Sequence, residues 1–469
     1  MSAVALELGT GALMLVVFFA GLFGRRDDSR RTGVIAAVGL VALLGVSLRA
    51  EPGGVLLGGS FVQDELAVFS KRLFLLATAI AVIGSLALRA PVFARRATEY
   101  YLLILGSLLG MLVLASAREL ILLFVAFELM SIPLYVLSGF QKREPEAVEA
   151  ALKFFLVGTV SSAVIIYGLS FVYGVAQSTE IAAIAHALAD GHPLVVLGLV
   201  LVLGGLGFKI AAFPFHMWVP DTYEAASTPF VAWLSVAPKA AGFVAMFRLY
   251  LEGIGENALM WVPLAGGLAA ITIVAGNLMA IPQQNIKRML AYSGVAHIGY
   301  MLIGFAAVSD KGTAMMLFYL VAYLFGNMGA FLVAEVVAQA EGSESIEAYR
   351  GLAQRSPVLA LCMLLFLLSL GGIPFVAGFW AKLYVFWAAA EQGLYWLVLI
   401  GAVLTVVALF YYLLVAKRMY IDPPPRRDPL PVPFLLQVCI AACVAGVVVL
   451  GVYPKPMVMA ALRVASTLF

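Results

Sequence analysis

The chain contains about fourteen apolar stretches between Val4 and Val452, each of roughly the 20 residues that an α-helix needs to cross a membrane. Hydrophobic residues make up 63% of the sequence and charged residues only 12%, so no stretch is polar enough to form a separate soluble domain. Hydrocarbon offers no partners to backbone N–H and C=O groups, and a helix satisfies them internally. The sequence therefore predicts an all-α, polytopic integral membrane bundle of about 14 transmembrane helices.

The basic residues fall mainly on one side of this bundle. When successive loops are assigned to alternate faces, 18 of the 29 lysines and arginines lie on one face, six on the other and five within the apolar stretches. Cytoplasmic loops of membrane proteins carry the excess of basic residues, so the first face is predicted to be cytoplasmic and both termini to lie outside. The net charge of +3 then reflects topology, and nucleic acid is excluded as a partner.

Cysteine usage gives no sign of a metal or redox site. Cys362, Cys439 and Cys443 lie in apolar stretches, without the four ligands that a structural zinc ion or an Fe–S cluster needs. The sequence also lacks a strand, glycine-rich loop and helix arranged to bind phosphate. We therefore expect neither a cofactor nor a metal in this chain.

Four ionisable residues lie inside apolar stretches and away from their ends: Glu128, Lys209, Lys239 and Lys382. An ionised side chain at the centre of a membrane costs at least about 2.5–3.5 kcal/mol, and such residues typically mark paths for ions or protons. A carboxylate stabilises a nearby ammonium group, so Glu128 is the natural partner to set how firmly Lys209 holds its proton. Charged residues that only stabilise a helical bundle would be expected in opposite-charge pairs, and three of these four residues are cations. We therefore interpret the four residues as a proton relay.

Two of these lysines lie in stretches that glycine and proline interrupt. Residues 204–215 and 370–382 each combine glycines, a Pro-Phe pair and one lysine, and they are about five stretches apart. Proline frees a backbone carbonyl group and breaks the helix, which admits water. Paired interruptions at corresponding positions of a folded-back repeat indicate a transport site.

Three other polar residues allow more than one interpretation. A histidine side chain ordinarily titrates near neutral pH, so His297 would bridge the halves of a relay, yet a helix histidine bonded to a backbone carbonyl group is nearly as common. Lys71 and Arg72 lie near the end of a stretch, where fold staples and snorkelling end groups are the commoner roles.

Five separated motifs, in order along the chain, closely resemble one family of membrane subunits. They are residues 127–137, 214–221, 235–241, 285–300 and 370–382. The family is subunit N of the proton-translocating NADH:quinone oxidoreductase, respiratory complex I, one of its antiporter-like subunits. The M-type subunit of the same superfamily carries glutamate where this chain has Lys382. One departure is residues 224–229, where the family more often has a Gly-Ala-Pro turn, and this leaves the geometry of that loop open.

The resemblance implies a fold of two inverted five-helix repeats with two discontinuous helices. It assigns residues 1–98 to N-terminal helices, 99–252 to the first repeat (helices 4–8), 258–421 to the second repeat (helices 9–13), and 422–469 to a linker and a final helix. Relay roles are implied for the four buried charges. Lys287 and His297 match the pattern of the family's tenth helix, with a weaker assignment of role.

The resemblance also implies the setting in which the chain works. Protons would load Lys209 from the cytoplasm, pass Lys239 and leave through Lys382 to the periplasm, across a bacterial inner membrane. The implied partners are the adjacent M-type subunit, the small K- and J-type membrane subunits, the peripheral redox arm and membrane lipids. NADH, FMN, Fe–S clusters and quinone would belong to other subunits, where quinone reduction would drive the pump.

Two alternatives remain open at this point. A subunit of a multisubunit cation/proton antiporter would carry similar lysines in broken helices, but no redox subunits would co-purify with it. A non-transporting membrane scaffold would use the charges as braces, so neutralising Glu128 or Lys382 would alter stability and leave coupling intact.

Overall fold

A computed structural model of the chain describes residues 3–23, 29–88, 93, 95–187, 192–253, 261–426 and 428–468. Helices account for nearly all of this part of the chain. In chain order they are α1 (Ala5–Phe23), α2 (Ser29–Ser47), α3 (Glu65–Ser85), α4 (Ala97–Ser116), α5 (Leu120–Ser138), α6 (Pro145–Ala176), α7 (Ile181–Ala187), α8 (Pro193–Ile210), α9 (Trp218–Ala225), α10 (Thr228–Leu234), α11 (Ala237–Met246), α12 (Val262–Ala280), α13 (Ile286–Ala306), α14 (Asp310–Glu341), α15 (Leu352–Arg355), α16 (Pro357–Gly371), α17 (Ala377–Glu391), α18 (Tyr395–Tyr420), α19 (Phe434–Val452) and α20 (Lys455–Ala465).

The predicted helical membrane bundle is confirmed. Among the described residues, 13 helical segments are long and apolar enough to cross a membrane, and one of them runs from α10 through α11 to Glu252. A further apolar helix, α16, is 15 residues long and is followed, after a break, by α17. The sequence did not predict a short hairpin, in which β1 (Gly54–Leu56) pairs antiparallel with β2 (Phe61–Gln63).

The chain forms two compact units. Unit 1 comprises Met1–Ile210, Ala237–Val262 and Val464–Phe469, and unit 2 comprises Ala211–Val236 and Pro263–Arg463. The four-part division and the inverted repeats implied by the resemblance stay predictions.

Within unit 1, glycines bring α6 and α8 into backbone contact. A Cβ atom at Gly168 would lie 2.5 Å from the carbonyl oxygen of Gly198, and one at Gly198 would lie 2.6 Å from the carbonyl oxygen of Gly168. Ser161 Oγ donates a hydrogen bond to Gly205 O at 2.7 Å further along the same pair of helices. This close packing fixes the end of α8, where Lys209 lies, against α6.

Both predicted helix interruptions are present. α8 ends at Ile210, and residues 211–217 form turns that include Ala211 at a φ of 67° and a cis Phe213–Pro214 bond. In unit 2, α16 ends at Gly371 and Gly372 follows at a φ of 82°, a left-handed conformation that glycine adopts without steric cost. The backbone N–H of Gly378 then donates to Ser369 Oγ at 3.1 Å, which ties α17 to the end of α16.

Gly378 is the tightest point of this second interruption. A Cβ atom there would lie 1.7 Å from the carbonyl oxygen of Ser369, a backbone atom that cannot move aside alone. We expect Gly378→Ala to destabilise unit 2 by about 3 kcal/mol, because the two halves of the broken helix must separate. The temperature at which the solubilised protein aggregates should fall accordingly.

Gly267→Ala is the matched control for this substitution. Gly267 lies on α12, and nothing is within 4 Å of the position that its Cβ atom would take. Alanine there should be neutral or stabilise the helix by about 0.5–1 kcal/mol. Equal aggregation temperatures for the two variants would contradict the close approach at Gly378.

Candidate functional site

Glu128 lies in the middle of α5 and is half-buried in unit 1. Ser162 on α6 donates a hydrogen bond to Glu128 Oε1 at 2.5 Å. A hydroxyl donor of this kind stabilises a carboxylate without neutralising its charge. This hydrogen bond holds the carboxyl group of Glu128 between α5 and α6.

Lys209 is the penultimate residue of α8, and its side chain is almost fully buried. The ammonium group donates to Ser131 Oγ at 2.8 Å and lies 5.3 Å from the centre of the Phe127 ring. Ser131 is on α5, one helical turn after Glu128, and its hydroxyl group in turn donates to Phe127 O at 2.6 Å.

The predicted partnership between Glu128 and Lys209 is thus indirect. The two side chains form no ion pair within 4 Å, and a serine contacts the lysine instead, although Glu128 acts on the ammonium group electrostatically. A through-space electrostatic interaction depends on the charge of Glu128 but does not bind Lys209 to it in an ion pair.

Lys239 lies on α11 in unit 1, directly after Pro238, and only 1% of its surface is exposed. Gly242 follows it by three residues and therefore shares its face of the helix. A Cβ atom at Gly242 would lie 3.5 Å from Lys209 Cγ and 2.8 Å from the Ile210 side chain. The face of α11 that carries Lys239 thus packs against the end of α8 at Lys209.

Lys382 lies in the first turns of α17 in unit 2 and is buried. Its ammonium group donates to the carbonyl oxygen of Gly371 at 3.3 Å, at the end of α16. The same group lies 4.6 Å from the centre of the Tyr300 ring, where the π-electrons attract a cation. The helix interruption therefore supplies Lys382 with a backbone oxygen that an intact helix would have used internally.

His297 lies on α13 in unit 2, among hydroxyl groups. Its Nδ1 atom is 2.8 Å from the hydroxyl oxygen of Tyr319, and its Nε2 atom is 3.2 Å from that of Tyr412. Both ring nitrogens thus have a side-chain partner, and neither of these bonds is to a backbone carbonyl group. Tyr300 lies one turn further along α13, so the residue that contacts Lys382 also adjoins His297.

Lys287 lies in a different environment, at the start of α13. Its ammonium group pairs with Glu344 at 2.7 Å and donates to Ala226 O at 3.0 Å. The neighbouring Arg288 pairs with Glu224 at 2.7 Å, so the loop that departs from the family pattern is held by an ion pair. These contacts join the ends of helices in unit 2, and a relay role for Lys287 stays a prediction.

Lys71 and Arg72 stabilise the fold through contacts within unit 1, which agrees with the first of the two interpretations, a structural role. Lys71 is fully buried and pairs with Glu7 on α1 at 2.6 Å, so it does not snorkel. Arg72 donates to the backbone oxygens of Ser47 and Ala50, both at 3.0 Å, and so satisfies carbonyl groups at the end of α2.

A second buried brace in unit 1 consists of four charged residues, here called the Asp64 network: Asp64, Arg118, Arg248 and Glu252. Arg248 has no exposed side-chain surface and donates to both carboxylate oxygens of Asp64, at 2.6 and 2.8 Å. Arg118 contacts Glu252 at 2.7 Å and Asp64 at 3.1 Å. Burial works to raise the pKa of Asp64, but the charge and hydrogen bonds of Arg248 outweigh it and hold that pKa below its ordinary value.

The charged candidate residues were predicted from the sequence, but the neutral side chains that contact them were not. Ser131 and Tyr300 each follow a candidate residue by three positions, so helical spacing was the available signal for both. Ser162 had no such signal, because its partner lies on another helix. In the described ranges, no group of three or more His, Cys, Asp or Glu side chains is placed to hold a metal ion.

Comparison with known proteins gives a consistent result. The family model "NADH:quinone oxidoreductase/Mrp antiporter, TM" matches residues 117–408. NADH-quinone oxidoreductase subunit N of Moorella thermoacetica is 41% identical over 467 residues, which cover 99% of this chain and 98% of that protein. In the solved structures, a chain of respiratory complex I from Thermus thermophilus with bound aureothin is 32% identical, with a TM-score of 0.82 and coverage of 97% and 98%.

A more distant likeness concerns the fold alone. A chain of the Mrp complex from Dietzia sp. DQ12-45-1b has a TM-score of 0.88 but only 20% identity, with coverage of 99% and 97%. The helical architecture is thus shared between the two groups, while the high sequence identity is to subunit N. The protein is a multi-pass, antiporter-like membrane subunit. On this evidence the chain belongs to the subunit N family of NADH-quinone oxidoreductase.

Proposed function

We propose that this chain carries protons across the bacterial inner membrane, from cytoplasm to periplasm, along a relay formed by Glu128, Lys209, Lys239 and Lys382. In this proposal the driving reaction, reduction of quinone by NADH, takes place in other subunits. The neighbouring M-type and small K- and J-type subunits would flank the chain in the membrane, and both termini would face the periplasm.

The observation that carries the proposal is a contrast between two kinds of buried cation. Lys71 and Arg248, which brace the fold, contact carboxylates directly at 2.6 Å. Lys209 and Lys382 have no carboxylate within 4 Å in the described part of the chain, and donate to a serine hydroxyl and a backbone carbonyl oxygen. A lysine bound to neutral oxygens can release its proton without leaving a buried anion unpaired.

Each relay residue has a separate task in this scheme. Glu128 adjusts the proton affinity of Lys209 through space. The hydroxyl oxygen of Ser131 accepts a hydrogen bond from the Lys209 ammonium group. Lys239 is on the face of α11 that packs at Lys209, so it is the next acceptor within unit 1. Lys382 adjoins the second helix interruption, where the carbonyl oxygen of Gly371 accepts a hydrogen bond from it and water can receive the proton. The order of the steps and their direction follow the resemblance to the family.

Glu128→Gln tests whether the charge of Glu128 adjusts the proton affinity of Lys209. The amide still accepts a hydrogen bond from Ser162 but has no charge, so Lys209 loses its electrostatic partner. We expect proton pumping by the assembled complex to fall roughly tenfold at unchanged assembly, since about 1.4 kcal/mol of lost interaction changes a proton equilibrium by that factor. Pumping is measured in inside-out membrane vesicles with a pH-sensitive dye.

Glu149→Gln is the control, because Glu149 lies on α6 in an exposed pair with Lys153. It should pump like the wild type. Normal pumping by Glu128→Gln would contradict the proposed role of Glu128. Gentle purification separates the antiporter alternative, because redox subunits should co-purify with this chain only if it belongs to the oxidoreductase.

A further inference from the structure

Four buried side chains in unit 2 form a continuous hydrogen-bonded string through His297. Tyr319 on α14 contacts Nδ1 at 2.8 Å, Tyr412 on α18 contacts Nε2 at 3.2 Å, and Ser293 Oγ lies 2.5 Å from the Tyr412 hydroxyl oxygen. All four residues are shielded from solvent. The string therefore connects α14, α13 and α18 through atoms that each carry or accept an exchangeable proton.

A neutral imidazole ring has one N–H donor and one acceptor nitrogen. With a hydroxyl group at each nitrogen, His297 can donate to one tyrosine and accept from the other, so all bonds in the string can point the same way. A string polarised in this way passes a proton along its length without any heavy atom leaving its place. Hydroxyl groups at both ring nitrogens therefore indicate proton transfer more strongly than the presence of a histidine does.

We propose that Tyr319, Tyr412 and Ser293 make His297 a two-ended proton exchanger, in which Tyr412 receives the proton that leaves Nε2. The inference rests on the proposed function and extends it, since none of the three hydroxyl residues belongs to the relay of charged groups. Tyr300 sets the exchanger beside that relay, because its ring contacts the Lys382 ammonium group and lies 6.0 Å from the His297 ring.

Protons balance in the exchange step. A hydronium ion at one end gives a proton to the Tyr319 oxygen and becomes water, as the Tyr319 proton moves to Nδ1. The Nε2 proton then moves to the Tyr412 oxygen, the Tyr412 proton moves to Ser293, and the Ser293 proton leaves to a water molecule, which becomes hydronium. Each O–H or N–H bond that breaks is replaced by one that forms, and His297 ends as the other neutral tautomer. Rotation of the hydroxyl groups and return of the tautomer reset the string.

Tyr323 provides a matched control within the same cluster. Its ring lies 5.1 Å from the His297 ring, against 5.9 Å for the Tyr319 ring, and it is equally buried. Its hydroxyl group has no hydrogen-bond partner among the described residues. Tyr323→Phe therefore removes the same atom from the same surroundings without interrupting the string.

The test uses the assembled complex in inside-out membrane vesicles, with Tyr412→Phe, Tyr323→Phe and Ser293→Ala made separately. Proton pumping is measured per quinone reduced, in H₂O and in D₂O. We expect the number of protons that Tyr412→Phe pumps per quinone reduced to fall about fivefold or more, the effect of one lost hydrogen bond. The ratio of its pumping rates in H₂O and D₂O should rise, because proton transfer becomes rate-limiting. Ser293→Ala should change both quantities in the same direction, and Tyr323→Phe should change neither.

Lys209→Ala is measured alongside, so that failure of the exchanger and failure of the relay are distinguishable. If Lys209→Ala stops pumping while Tyr412→Phe and Ser293→Ala behave like Tyr323→Phe, the exchanger is overturned and the relay stands. If Lys209→Ala pumps normally in an intact complex, the proposed function itself is overturned. A Tyr412→Phe chain that does not assemble leaves Ser293→Ala to decide the question with the same two readouts.

Discussion

Lys209→Ala should abolish proton pumping by this chain while the complex still assembles. The substitution removes the only titratable atom of the residue and leaves Ser131 without the ammonium group that donates to it. Loss of a positioned acid or base typically costs a factor of about 10²–10⁴ in rate. Pumping is followed in vesicles and assembly by native gel electrophoresis of the solubilised complex.

Lys209→Arg separates a proton carrier from a buried positive charge. Arginine keeps the charge beside Glu128 but stays protonated at any physiological pH, so it cannot pass a proton on. We expect it to assemble and yet to pump no better than Lys209→Ala. Lys153→Ala, a half-exposed position on α6, serves as the control for the loss of a lysine. Restored pumping in Lys209→Arg would assign the residue to electrostatic bracing.

Arg248→Met is expected to destabilise unit 1 more than any other single change in the Asp64 network. The guanidinium group has no exposed surface, binds both oxygens of Asp64, contacts Glu252 at 2.9 Å and donates to Ala115 O at 2.7 Å. Methionine fills similar space but leaves the two carboxylates facing each other with only Arg118 between them. Breaking a buried ion pair from one side costs about 3–5 kcal/mol.

The effect of Arg248→Met should appear as a lower amount of the chain in membranes and a lower aggregation temperature in detergent. Lys311→Met is the matched control, because Lys311 forms an exposed ion pair with Glu391. Exposed pairs contribute only about 0–1 kcal/mol, so that variant should resemble the wild type. A wild-type aggregation temperature for Arg248→Met would show that the Asp64 network does not brace unit 1.

The sequence was sufficient to predict the helical class and the positions of the helix interruptions. Each apolar stretch has one structure that satisfies its backbone in lipid, and the Gly-Gly-Ile-Pro run at 371–374 has few ways to continue as a helix. The buried lysines were also predictable, because a lysine at mid-membrane has no trivial explanation.

What the sequence could not supply was the identity of partners from distant helices. Nothing in the sequence pairs Arg248 with Asp64, which is 184 residues away yet holds it inside unit 1. Tyr412 and Ser293 are 119 residues apart and look like ordinary helix residues until α13 and α18 pack together. A serine or tyrosine in a membrane helix has many ordinary roles, so only the fold shows which of them contacts a charged residue.

The most direct test of the relay measures protons pumped per quinone reduced for Lys209→Ala, Lys382→Met and the double variant, in assembled complexes. Residues that act in series on one proton are strongly non-additive, because the first block already stops the flow. We expect each single variant to lose pumping by this chain and the double variant to lose no more. Single variants that each retain part of the pumping, with losses that add in the double variant, would contradict a single relay through both lysines.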